Sequence, residues 1–146
     1  MGATAPPPPR LRITTRAHFS AAHRLHNDQK EPEWNRRIFD KCNNPFGHGH
    51  TYEVEVTVEG PIDAETGWVM DFGNLKRIVD EKVIRPCDRR NLNTDVPFLS
   101  GVNPTAENIA MRIFRELDPE VGPARLVRVV LHETERNRVA FTGPPA

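Results

Sequence analysis

His48, His50, Tyr52, Val54, Val56 and Val58 occupy alternate positions of one short stretch. Each is followed by a small or polar residue: Gly49, Thr51, Glu53, Glu55, Thr57 and Glu59. Period-two alternation is the pattern of a half-buried strand with one apolar and one wet face. The clearest run is Thr51 to Glu59, and the two histidines continue its buried face toward the N-terminal end. A chain with such a strand must cover one side of a sheet. It must also accommodate two imidazoles that project to the same side.

The other elements follow from similar patterns. Leu11 to Leu25 reads as a first strand, which should pair with the second as a hairpin. Pro61 to Gly67 carries turn residues, and Trp68 to Met70 reads as a short extended piece. Asp71 caps a helix to about Arg85, with Leu75, Ile78, Val79 and Val83 as its apolar stripe and Pro86 as its stop. A second helix starts near Asn103-Pro104-Thr105, is apolar at Ile109, Ala110, Ile113, Phe114 and Leu117, and ends at Asp118-Pro119. Leu126 to Glu133 and Arg138 to Thr142 read as two further strands joined through Arg136 and Asn137. The order is β-β-α-α-β-β, an α+β domain with an antiparallel sheet and both helices on one face. Its edge strands would keep unpaired backbone groups, a liability that pairing with other copies relieves.

The chain of 146 residues is most simply one domain, 11–146, behind a flexible proline-rich tail, 1–10. Its 20 basic and 20 acidic side chains balance, so no basic excess points to nucleic acid or to an anionic membrane. No apolar run is long enough to span a bilayer. The two cysteines, Cys42 and Cys87, do not make a disulfide scaffold. These features together suggest a cytoplasmic protein with free thiols.

His23 lies near the end of the first strand, beside His48 and His50 if the two strands pair. Three neutral imidazoles with an open position are the arrangement of a catalytic Zn²⁺ site. His18, His26 and His132 read as ordinary surface or packing residues. Cys42 reads either as a small buried hydrophobe or as a thiolate base carried on an irregular loop. Cys87, at a helix end, reads as a packing residue. In Asp88-Arg89-Arg90-Asn91-Leu92-Asn93, the carboxylate is either solvated or orients a catalytic group, and the arginines either face solvent or face phosphate. Glu133 continues the buried parity of Val127, Val129 and Leu131. A carboxylate there needs a partner, such as the guanidine-like edge of a heterocycle. Glu107, in the first turn of the second helix, reads first as a helix-dipole residue.

Taken together, these stretches resemble the 6-pyruvoyl-tetrahydropterin synthase family, which includes the 6-carboxy-tetrahydropterin synthases. The resemblance rests on Phe19-Ser20-Ala21-Ala22-His23-Arg24-Leu25, Cys42 to His50, Gly67 to Asp71, Asp88 to Asn93, Pro104 to Asn108 and Glu133-Thr134. It implies the tunnelling fold, a barrel built from several subunits' sheets, a homohexamer of two trimers and active sites between subunits. It further implies that His23, His48 and His50 bind zinc, that Cys42 abstracts a proton, that Glu133 anchors the pterin and that Asp88 joins the proton relay. Glu107 and Arg89 become substrate-binding candidates. The implied reaction converts 7,8-dihydroneopterin triphosphate to 6-pyruvoyl-tetrahydropterin with loss of triphosphate, in tetrahydrobiopterin biosynthesis. The alternatives are the carboxy-type carbon–carbon lyase of queuosine biosynthesis and a catalytically impaired pterin-binding homologue. Five residues between Cys42 and His48 resemble the pyruvoyl type. The chain departs from the family at Arg89, where the relay histidine is usual. Arginine stays protonated and cannot shuttle a proton.

Overall fold

The structure is a computed structural model and describes residues 2–145. Strand β1 (Arg10–His23) pairs antiparallel with β2 (His48–Pro61) along its whole length, with Phe19 opposite Tyr52, Ala21 opposite His50 and His23 opposite His48. The two strands are neighbours as expected, but their connection carries a helix rather than a tight turn. This helix, α1 (Pro32–Phe39), has no counterpart in the sequence reading. Its buried residue is polar: Asn35 accepts from the Asn27 N–H and donates to the carbonyls of Asn27, Lys30 and Glu31. An apolar-periodicity search does not register a helix organised around an amide.

Asp71 caps α2 (Phe72–Val79) as expected, its two carboxylate oxygens accepting from the Gly73 and Asn74 N–H groups. Pro86 does not stop this helix. The chain widens into a π turn at Asp80–Ile84, where the Arg85 N–H donates to the Asp80 carbonyl, and continues as α3 (Arg85–Cys87). Pro86 itself supplies no N–H to the helical ladder. A two-residue strand, β3 (Arg90–Asn91), then pairs parallel with β1 at Ala21 and Ala22. The sheet is therefore mixed, not purely antiparallel. Two residues carry no readable period, so β3 leaves no sign in the residue pattern. Trp68 to Met70 forms no strand.

Thr105 caps α4 (Ala106–Leu117), and β4 (Arg125–His132) and β5 (Arg138–Phe141) close the fold. The strand order is β3-β1-β2-β4-β5. Phe19, Tyr52, Val54, Val56, Val58, Val129 and Leu131 pack in one apolar cluster with Leu75, Val79 and Val83 of the first helical segment and Ile109, Ile113 and Leu117 of α4. This confirms the expected helix-covered face. The opposite face is polar and carries the Arg16–Glu53, Arg12–Glu59 and Glu55–His132 pairs. No helix among the described residues is long and apolar enough to cross a membrane.

Candidate metal centre

The alternation that builds β2 also builds the site. His48 and His50 lie on its helix-facing side in line with buried Tyr52, and β1 places His23 directly across from His48. One ligand atom from each of the three imidazoles lies within 4.8 Å of the others. His23 is buried, and its Nδ1–H donates to the Pro104 carbonyl at 2.8 Å. That bond sets the tautomer and leaves the Nε2 lone pair for another partner. Nε2 of His23 and Nε2 of His48 lie 3.1 Å apart. His50 Nε2 is buried and has no hydrogen-bond partner among the described residues. An unpaired buried nitrogen is costly unless something fills the centre. Burial lowers the pKa of both His23 and His50, favouring the neutral form that ligates a cation. The donor set fits a divalent metal such as zinc.

Glycine is required at one point of the loop between Cys42 and His48. Gly47 has φ +74°, and a Cβ there would lie 2.9 Å from the His23 carbonyl oxygen. The loop therefore packs tightly against the end of β1. The segment after His23 is zipped to the cysteine turn: the Leu25 N–H donates to the Cys42 carbonyl, Arg24 Nε to the Asn43 carbonyl and Asn43 Nδ2 to the Leu25 carbonyl. The same Asn43 amide donates to His26 Nδ1 at 2.8 Å. His26 is thus a brace for this turn, and His132 is held by Glu55 on the opposite face of the sheet. The sequence reading missed three supports of the centre: Pro104, Asn43 and Tyr52, whose hydroxyl lies 3.3 Å from His23 Nδ1. Tyr52 alone had a visible signal, its place in the histidine alternation.

Cys42 lies half-buried in a short 3₁₀ turn, Asp40–Asn43, rather than in an irregular loop. Burial pushes its thiol pKa up, and the Glu133 and Asp40 carboxylates push it further. Asp40 holds φ 48° and ψ −123° at the end of α1, a conformation that suits glycine. Asp40→Gly is expected to raise stability by about 1 kcal/mol, the relieved strain less the added chain entropy. The same change lowers the Cys42 pKa toward its ordinary value, so thiol labelling at fixed pH should become faster. A denaturant melt and a labelling time course check both effects; an unchanged melt and unchanged labelling would remove the account of this residue.

Glu133 follows β4 directly, and its carboxylate lies 3.9 Å from His50 Nε2. It lines a cavity of about 420 Å³ with Glu107, Thr105 and Arg138, so the two expected carboxylates share one space. Asp88 and Arg89 are not joined to Cys42. The Ser20 N–H donates to Asp88 Oδ1, and the Arg89 N–H donates to the Ser20 carbonyl. Arg89, in the left-handed region at φ 59°, lines a separate cavity on the side of His50. Cys87 is buried, with its pKa pushed up to about 12, which fits the packing role expected of it.

Fold and site together define a tunnelling-fold protein with a three-histidine metal-type centre at one end of its β1–β2 strand pair. The family model described as "6-pyruvoyl tetrahydropterin synthase" matches residues 12–144. The chain belongs to that family, whose members are lyases. It is 42% identical over 139 residues to the 6-pyruvoyl tetrahydrobiopterin synthase of Poecilia reticulata, covering 94% of this chain and 95% of the relative. It is 42% identical over 131 residues to the Homo sapiens protein of the same description, covering 90% of each. The solved 6-pyruvoyl tetrahydropterin synthase of Caenorhabditis elegans superposes with a TM-score of 0.88 at 36% identity, covering 94% of this chain and 98% of that one.

Proposed function

We propose that this protein is a zinc-dependent lyase that converts 7,8-dihydroneopterin triphosphate to 6-pyruvoyl-tetrahydropterin with release of triphosphate. The observation that carries the reading is the three-imidazole centre, with its orphaned His50 nitrogen, flanked by Cys42 and Glu133. His23, His48 and His50 would hold the ion. When bound, Zn²⁺ supplies Lewis acidity that makes the C–H beside a substrate hydroxyl easier to deprotonate.

The chain's own groups do the rest. Glu133 accepts paired hydrogen bonds from the amino-pyrimidine edge of the pterin, and Glu107 lines the same space. Cys42 takes the proton from the side-chain carbon and returns it. Asp88 lies apart from Cys42 within one chain, which supports a relay completed by another copy. The reading therefore includes a homohexamer with active sites between subunits, formed by the domain 11–146. Two free thiols, one of them a working base, support a cytoplasmic setting.

Incubation with dihydroneopterin triphosphate and identification of the products tests the reading. The pyruvoyl product with triphosphate supports it. Acetaldehyde would assign the carboxy-type reaction instead. Metal and pterin binding without turnover would mark a catalytically impaired homologue, the reading that Arg89 favours. Arg89→His is expected to raise kcat by about tenfold or more at neutral pH, because a titratable group returns to the relay. A histidine variant no faster than the parent would remove the relay argument for this protein.

A further inference from the structure

We infer that the cavity beside Cys42 is the polyphosphate seat of this site, built from Arg24, Arg36 and Lys41. The inference rests on the proposed reading of a phosphorylated pterin substrate. It names phosphate-binding cations outside the Asp88–Asn93 segment, the stretch that the sequence alone suggested.

The cavity has a volume of about 800 Å³ and opens onto both Cys42 and His48. Arg24, Arg36 and Lys41 line it, with Asp40 as the one carboxylate. Arg24 is fixed from two sides. Its Nε donates to the Asn43 carbonyl, its backbone N–H donates to Asn93 Oδ1, and its carbonyl accepts from Asn93 Nδ2. Among the described residues, neither Arg24 nor Lys41 makes an ion pair. Arg36 pairs with Glu33 at 2.7 Å, but both side chains are largely exposed, and such i,i+3 pairs hold an arginine weakly. The cavity thus presents cations that lack a strong internal counter-charge.

The surroundings of the centre are polarised. The space beside Glu133 and Glu107 holds two carboxylates and Arg138, whereas the thiol side holds three cations and Asp40. A substrate with its heterocycle on Glu133 is repelled by those carboxylates at its phosphate end and attracted across the histidines to the cations. The chemistry selects the same side. Elimination removes a proton from the carbon next to the one that loses the phosphate oxygen: the C–H pair becomes the new double bond as the C–O bond breaks. The base and the phosphate seat must therefore be neighbours. Within one chain, Cys42 shares its cavity with Arg24, Arg36 and Lys41, and Arg90 lines a different one with His50.

The test compares neopterin triphosphate with neopterin, neither of which turns over, on the zinc-loaded full chain. Arg36→Met/Lys41→Met changes two exposed residues and spares the Arg24 brace. This double variant is expected to weaken neopterin triphosphate by about tenfold or more, because charge-assisted hydrogen bonds to phosphate are lost. Neopterin should stay within about twofold, and raising salt should erase much of the difference between the two proteins. Arg90→Met should change neither ligand by more than about twofold, since Arg90 lines a separate cavity. Equal weakening of both ligands, or a loss carried by Arg90→Met, overturns the assignment. If neither pterin binds the parent protein, the proposed function fails by itself, and inorganic triphosphate then decides the seat. Binding that the double variant weakens keeps it; no binding, or binding that the double variant leaves unchanged, removes it.

Discussion

Replacing His50 with alanine is expected to strip zinc from the purified protein and to lower kcat/KM by about 10³-fold or more. His50 Nε2 is the orphaned nitrogen of the centre, so its removal takes away a ligand and leaves no broken hydrogen bond behind. The side chain is 18% exposed and lies outside the apolar cluster that holds the fold. Chelator-treated His50→Ala should therefore melt close to chelator-treated parent. His23→Ala should lose the metal equally but behave differently in the melt. His23 is buried, and its Nδ1–H satisfies the Pro104 carbonyl just ahead of α4. Leaving that carbonyl unpaired costs about 1–3 kcal/mol. Metal analysis and thermal melts of the two variants read both halves of the expectation. A His50→Ala protein that keeps one zinc per chain would sink the three-histidine assignment.

Cys42→Ala should give the opposite dissociation: zinc retained at one per chain, with turnover lowered about 10²–10⁴-fold. The thiol is not among the converging ligand atoms, so its loss leaves the centre intact. Its pKa is raised by burial, then by Glu133 and Asp40. Deprotonation of Cys42 must therefore be helped by positive charge within reach, which the centre and the cations of its cavity supply when the site is complete. Cys87 is the internal control. It is buried, has no carboxylate perturbing it and keeps its proton across the neutral range. Thiol reagents should label Cys42 and leave Cys87 until the chain unfolds. An alanine variant at Cys42 with near-parental turnover would remove the cysteine from the mechanism.

The parts of this protein that are legible in its sequence share one property: they repeat. The alternation in β2 identified the sheet face and placed His48 and His50 on it. The stripes Leu75, Ile78, Val79 and Val83, and Ile109, Ile113 and Leu117, identified the two covering helical segments. The failures were elements held by polar or irregular contacts. Helix α1 is organised by Asn35, whose amide makes four hydrogen bonds to three neighbouring residues and leaves no apolar period to detect. Strand β3 is two residues long and exists because β1 offers an open edge. The π turn keeps a helix running through Pro86, a residue that ordinarily marks an end.

The sequence by itself determined that this chain has a sheet with one covered face and a pair of imidazoles on that face, because side-chain direction in a strand follows from residue number alone. Only the tertiary structure decided which nitrogens meet. The strand register sets His23 against His48, the Pro104 carbonyl 81 residues away selects the His23 tautomer, and the Arg24–Asn43 zipper turns Cys42 into a cavity of cations. Those are long-range contacts between segments with no common period, so no local pattern could have announced them.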